Sequence, residues 1–377
     1  MRKMLIFILL LVSVGVGAKE SRTAKAKETK GTKESRAIKT KQFFEKVGKF
    51  ADEWYMRGLD TAYVGLPKHR FKLALSSDIG NVYTIIQCSD IPYYESLDMR
   101  MRSNLTPKIG LVIGYRNLGI GYSVNLYKGY SNLKFSITQS AFGLEFRMRK
   151  ASYTKGYIDA ASTEGRYDLS PGDLRVTTFF LNAYYAFNRK RFSMPAAFNQ
   201  SYIQRRSAGS VLIYADFLYS DIENLTDALI TQGGGLREME LYQTAVGVGY
   251  GYNYTPNKGK FLLHVSGGVE LAFFNRMLIT GDSRMFMPNS SYNLIFSQKI
   301  KPQYWVYVTG RVKLALVYNI NDRFFIAANA VVNNIRFKSK DHVYKTDSAT
   351  GPDTNPEVSM RLMTWDWNAV LLLGVRF

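Results

Sequence analysis

From Lys108 to its last residue the chain alternates apolar and polar side chains with a period of two, in runs of about 12 to 17 residues. Successive side chains of a strand point to opposite faces, so this pattern writes strands with one apolar and one polar face. Ile109, Leu111, Ile113 and Tyr115 share a face, with Gly110 and Gly114 opposite. Val246, Val248, Tyr250, Tyr252 and Tyr254 oppose Gly247, Gly249, Gly251 and Asn253, while Leu263, Val265, Val269 and Leu271 oppose His264, Ser266 and Glu270. Val308, Val312, Leu314, Leu316 and Tyr318 oppose Thr309, Arg311 and Lys313. A soluble sandwich uses shorter strands and purely apolar inner faces. Long strands with a charged or glycine-rich second face fit a membrane barrel, with lipid on one side and a polar lumen on the other.

The last strand carries the pattern to the end of the chain. Phe377, Val375, Leu373, Leu371, Ala369, Trp367 and Trp365 alternate with Arg376, Gly374, Asn368, Asp366 and Thr364. A terminal aromatic after an alternating strand resembles the signal by which bacterial outer-membrane barrels address their assembly machinery.

The first residues point to export. Arg2 and Lys3 precede an apolar stretch that ends in Gly15-Val16-Gly17-Ala18, which reads as a signal peptide over residues 1–18. Residues 19–49 hold 11 Lys and Arg against 4 Glu and few apolar side chains, so they read as a basic, disordered linker. Of the formal charge of +20, two units thus sit in the leader and seven in the linker. The remaining eleven are spread over 50–377, which argues against nucleic acid as a partner. The linker is a solvated spacer or a basic arm that touches anionic cell-wall polymer or lipid.

Connection lengths set a topology, because outer-membrane barrels alternate short periplasmic turns with long external loops. With Phe377 in the periplasm, residues 338–361, 276–302, 221–240 and 161–173 are external. Residues 319–322 and 254–259 are periplasmic turns, and 188–207 is a long periplasmic connection. Ten long strands from Lys108 onward and a short pair, 71–77 and 81–87, make an all-β, antiparallel, up-and-down transmembrane barrel of twelve strands, with ten or fourteen as alternatives.

Three segments bear a resemblance. Residues 55–64 (YMRGLDTAYV), 114–123 (GYRNLGIGYS) and 198–210 (FNQSYIQRRSAGS) resemble an uncharacterised family known only as a domain of unknown function. Its members are regarded as exported outer-membrane barrels of Gram-negative bacteria. The resemblance covers residues 50–377 and implies compartment and architecture, with no catalytic residues.

Candidate chemistry is sparse. His264 and Ser266 share a strand face with Glu270, as the His-x-Ser pair does in outer-membrane acyl hydrolases, and Asn253 or Glu240 on the neighbouring strand offers an orienting partner. Gly267-Gly268 follows where those enzymes have Asn, and the pair faces the inferred lumen. His69 reads as part of a periplasmic rim. His342, with Asp341 and Asp347, lies in a loop without calcium-loop spacing. Gly233-Gly234-Gly235 lacks the lysine and helix of a phosphate loop. Cys88 is alone, and neither a cofactor motif nor a metal motif is present.

Lys72, Arg116, Arg147, Arg149, Arg311, Lys313 and Arg376 are expected to face the lumen against Glu145, Glu270 and Asp366. If the lumen is open, that excess favours an anionic solute; if filled, the same groups form an ion-pair network. Three readings stand: a non-enzymatic barrel in contact with outer-membrane lipid, a barrel lipid hydrolase using His264 and Ser266, and a soluble exported β-barrel that binds a ligand.

Overall fold

A strand that is apolar on one face only must find a wall to join, and here twelve join into one. The computed structural model describes residues 52–53, 55–89, 96–103, 105, 107–125, 131–151, 153–160, 166–227, 230, 235–282, 295–342 and 357–377. The signal-peptide and linker readings, Asp347 and Gly233-Gly234 lie outside the described residues. The wall begins with β1 (Phe71–Ser89), β2 (Lys108–Tyr115), β3 (Leu118–Val124) and β4 (Ser131–Thr138). It continues through β5 (Phe142–Ala151), β6 (Leu174–Ala186), β7 (Ala208–Asn224) and β8 (Leu236–Tyr254). β9 (Phe261–Asp282), β10 (Tyr307–Asn319), β11 (Phe324–His342) and β12 (Glu357–Arg376) complete it.

Each strand pairs antiparallel with the next, and β12 pairs with β1 from Arg376↔Lys72 to Ser359↔Ser89. The ring is therefore closed, which removes the unpaired edges that an open sheet would expose. Phe377 completes the seam: its N–H donates to the Phe71 carbonyl at 2.8 Å, and the Phe71 N–H donates back at 3.2 Å.

The twelve strands come from a different partition than the sequence indicated. Phe71–Ser89 is one strand of 19 residues, and eleven wall strands follow it. The polar run at Ser76–Asn81 reads as a turn in sequence. In the wall, Ser76 and Asp78 instead point inward, and Asp78 accepts the Ser123 hydroxyl at 2.5 Å. β1 pairs with β2 along residues 71–78 and with Ser96–Ser103 along residues 83–89. Ser96–Ser103 pairs in turn with Tyr153–Ala160, bridging above the short β3–β4 hairpin.

Side chains on the outer face of the wall are apolar and exposed. Val248 is 64% exposed, and Ile113, Tyr122, Ile213, Val269, Val312 and Leu373 lie in the same belt. A belt of this extent is a lipid-facing surface, not one a water-soluble barrel presents. Across β5, β6 and β7, Phe146, Phe179 and Phe217 stack edge to face with centroids 4.6 and 6.1 Å apart.

The short turns define one end of the barrel and the long connections the other, here the turn end and the loop end. Residues 188–207 run between β6 and β7 at the turn end, and they fold inward. A five-residue helix, Met194–Phe198, lies in the lumen with Met194, Pro195, Ala196 and Ala197 buried. Ser193 caps it by accepting the Ala196 N–H at 3.3 Å. Ile203–Gln204 then pairs with Val64–Gly65. Counting connections back from Phe377 makes this stretch a long, basic periplasmic connection. Its arginines hold the rim: Arg191 lies 3.3 Å from Asp60, and Arg205 donates to the Thr61 carbonyl.

A second departure lies at the loop end. Inward side chains there are apolar, and Ile86, Met99, Met101, Leu236, Met239, Met277 and Phe337 form one buried cluster. Polar lumen groups occupy the middle and turn-end layers.

Candidate functional site

The lumen collects the charged residues of seven strands, β1, β4, β5, β7, β9, β10 and β12. Arg311 on β10 forms an ion pair with Asp216 on β7 and lies 3.5 Å from Glu270 on β9. Its Nε donates to Asn333 Oδ1 at 3.0 Å. Phe180 lies beneath two guanidiniums, with Arg311 5.1 Å and Arg147 5.5 Å from its ring centroid. Arg149 and Arg147 reach Asp366 at 2.8 and 3.4 Å, and Lys134 reaches Glu145 at 3.3 Å. Lys313 donates to Asn182 Oδ1 at 3.1 Å, and Lys72 donates to Asn199 Oδ1. Arg376 donates to Asn319 Oδ1 at 3.0 Å.

Lys72, Arg147, Arg149, Arg311, Lys313, Glu145 and Glu270 thus all face inward. Arg116 does not. It occupies the β2–β3 turn at φ 52°, with its Nε 3.2 Å from the outward Tyr115 hydroxyl. A two-residue turn breaks the inward–outward count, which is why alternation misplaced it.

Below this layer the turn-end segment meets β8 and β9 at one cluster. His264 Nδ1 lies 2.7 Å from Asn253 Oδ1, and its Nε2 lies 2.9 Å from Ser266 Oγ. A carboxamide oxygen only accepts, so Nδ1 carries the proton and Nε2 accepts from the serine hydroxyl. That is the relay order of a Ser–His–Asn triad. Glu270, which shares the face, belongs to the Arg311 cluster instead. Glu240 points outward and accepts from Tyr219 at 2.9 Å.

The rest of the geometry is that of a latch. Asn253 Nδ2 donates at 2.9 Å to both the Ser193 carbonyl and Gln204 Oε1. Gln204 donates to the Arg191 carbonyl at 2.6 Å and the Arg206 carbonyl at 2.8 Å, and accepts the Ser193 N–H at 3.0 Å. Phe198 and Phe192 pack on the His264 ring at 5.1 and 6.0 Å. His264 is fully buried, and Ser266 is 2% exposed. Ser266 is paired to Gly251 on one side and Lys313 on the other, so the adjoining backbone amides belong to the ladder rather than to an oxyanion hole.

The remaining sequence candidates stand apart. His69 immediately precedes β1 at the turn end, and His342 ends β11. Cys88 is buried in the loop-end cluster. Among the described residues, Asp221, Glu223 and Glu238 are the group whose ligand atoms lie close enough together, within 4.8 Å, to hold a cation. They face outward beyond the Tyr219–Tyr242 ring pair. Burial, and then Glu223, Glu238 and Glu240, push the Asp221 carboxyl up to about 6. Alternation around Glu238 and Glu240 shows the acidic face in sequence; nothing there shows the inward folding of 188–207.

Several solved structures align with the chain at low identity. The outer membrane protein OprG of Pseudomonas aeruginosa aligns over 83% of this chain and 98% of its own, at 9% identity and a TM-score of 0.31. The outer membrane protease OmpT of Escherichia coli aligns over 81% and 97%, at 9% identity and a TM-score of 0.36. The translocator domain of the autotransporter NalP of Neisseria meningitidis aligns over 91% and 98%, at 11% and 0.31. No curated protein sequence matches the chain. Residues 58–351, which span the inward-folded segment, its latch and eleven of the wall strands, match a described family, and the chain belongs to it: Domain of unknown function (DUF4421).

Proposed function

We propose that the protein is an outer-membrane barrel of non-enzymatic role, a narrow solute passage closed at rest by its own segment 188–207. In this reading residues 1–18 direct export, residues 19–49 form a basic spacer, and the turn end faces the periplasm. The C-terminal strand, with Phe377, Val375, Leu373 and Leu371, addresses the assembly machinery.

The observation that carries the reading is the latch. Asn253 on the wall holds the segment through directional hydrogen bonds to the Ser193 carbonyl and the Gln204 side chain. Gln204 ties the segment to itself through the Arg191 and Arg206 carbonyls, and the apolar helix lies in the bore. Amide contacts of this kind contribute about 1 kcal/mol each, enough to close a passage and few enough to release it. Liposome swelling tests the reading. Asn253→Ala and His264→Ala, folded as judged by heat-modifiable migration, are expected to admit small solutes faster than the unaltered protein. Equal rates for all three would contradict it.

The relay through His264 favours a second reading, acyl hydrolysis at Ser266. It lacks oxyanion donors, and the plug covers the serine. Loss of phospholipid turnover in Ser266→Ala would establish it.

A further inference from the structure

Between the tip of the plug and the ion-pair layer lies a cavity of about 90 Å³. Its charged lining is Lys72, Lys134, Arg147 and Lys313 against Asp78 and Glu145. Four of these six have local partners: Lys134 pairs with Glu145, Arg147 with Asp366, and Asp78 accepts from Ser123. Lys72 and Lys313 differ. They are 5% and 6% exposed, and among the described residues no carboxylate lies within 4.0 Å of either ammonium. Each is held by one neutral amide oxygen, Lys72 by Asn199 and Lys313 by Asn182. Lys313 also lies 5.7 Å from the Phe198 ring. A buried cation with no carboxylate in contact is costly. Lys72 has only cations acting on it, Arg376 and Lys134, and Lys313 feels Glu145 and Asp216 only from beyond contact, so the pair on one cavity calls for an anion.

The cavity also has a neutral polar group to offer. The hydroxyls of Ser123 and Ser136, which line it, are committed to Asp78 and the Gly119 carbonyl, but Asn132 is buried there with Oδ1 unpartnered. A carboxamide turned over offers two N–H groups in place of that oxygen. The volume is about three times one water's share of the liquid, which suits a compact ion of a few heavy atoms and no attached chain.

We infer that this cavity binds a free tetrahedral oxyanion of the phosphate class, held by Lys72 and Lys313 against the tip of the plug. Asn199 and Phe198 are plug residues, so the anion competes with the plug for both lysines. The inference rests on the solute-passage reading, but the two fail separately, since solute uptake by latch variants reads opening and anion binding reads the closed barrel.

The test is calorimetric titration of the full chain, folded in detergent, with inorganic phosphate. Saturable binding is expected, weakened about tenfold or more in Lys72→Met and in Lys313→Met, as expected for loss of one charge-assisted hydrogen bond. Arg276→Gln, on the outer face, should bind as the unaltered protein does. If a lysine variant does not fold, Asn132→Asp, which places a carboxylate at the cavity, is expected to weaken binding to the same degree. Glycerol 3-phosphate, too large for the cavity, should bind at least about tenfold more weakly than phosphate. Absence of saturable phosphate binding, binding within twofold in every folded cavity variant, or equal binding of glycerol 3-phosphate would overturn the site.

Discussion

At the turn end the lumen is closed by a separate segment, seated on Asn253 and His264 through hydrogen bonds and ring contacts. At the loop end it is closed by the wall strands together with the Ser96–Ser103 and Tyr153–Ala160 strands paired onto them, whose inward Ile, Leu, Met and Phe side chains meet in one apolar cluster. Hydrogen bonds to a seat are directional and can be exchanged for water, whereas apolar contacts among strands that also form the wall are lost only with the wall. The two closures therefore have different roles. One end is a stopper, the other is structural core, and the charged layer between them ties the wall across its bore.

The largest expected effect tests that middle layer. Arg311→Met leaves Asp216 and Glu270 buried without their cation, and should cost about 3–5 kcal/mol in a reversible unfolding titration in detergent. A smaller loss, under about 1 kcal/mol, would mean the carboxylates are already hydrated and the layer is open.

Next come matched truncations at the two ends. Phe337→Ala at the loop end should cost about 3–5 kcal/mol, the range for a buried phenylalanine, with no gain in solute uptake. Phe192→Ala, equally buried but in the stopper, should cost less stability and raise uptake. Uptake from the loop-end variant alone would invert the assignment of the gate.

Ser266→Ala removes one hydrogen bond from the latch and should cost about 1 kcal/mol, with phospholipid turnover unchanged from that of the unaltered protein.

The smallest effect lies outside the bore. The Asp221 carboxyl, pushed up to about 6 by burial and neighbouring acids, keeps its proton in the folded chain where the unfolded chain has lost it. Stability is therefore fully supported below about pH 4 and declines as pH rises through about 6. Thermal midpoints at pH 4.5 and 7 should differ in that direction, and the difference should shrink in Asp221→Asn. An identical pH difference in that variant would remove Asp221 as its source.

The wall was legible because lipid and lumen impose opposite demands on alternate residues. Val246 through Tyr254, and Leu371 through Phe377, show that alternation without ambiguity. A closed barrel was expected from the same pattern, but the pairing that closes it, β12 on β1 with Phe377 against Phe71, comes from the structure. The interior was legible only in part. The faces of Arg311, Lys313, Glu270, His264 and Ser266 follow from strand periodicity, but their partners depend on register across the bore. Arg311 on β10 meets Asp216 on β7, three strands round the ring, a pairing that no local spacing encodes. The stopper was hidden because residues 188–207 read as a long periplasmic connection, and a helix as short as Met194–Phe198 has too few turns to show a period. The apolar loop end was hidden as well, because Met99, Met101, Met239 and Met277 read equally well as outward residues.

Single-channel conductance across a planar bilayer tests the central claim most directly, comparing the unaltered protein with a variant in which residues 190–205 are replaced by a short glycine-serine linker. Both must show heat-modifiable migration. The account predicts a silent or rarely opening barrel that becomes a steady, narrow conductor once the segment is gone. Steady conductance in the unaltered protein, or silence in the folded deletion variant, would contradict it.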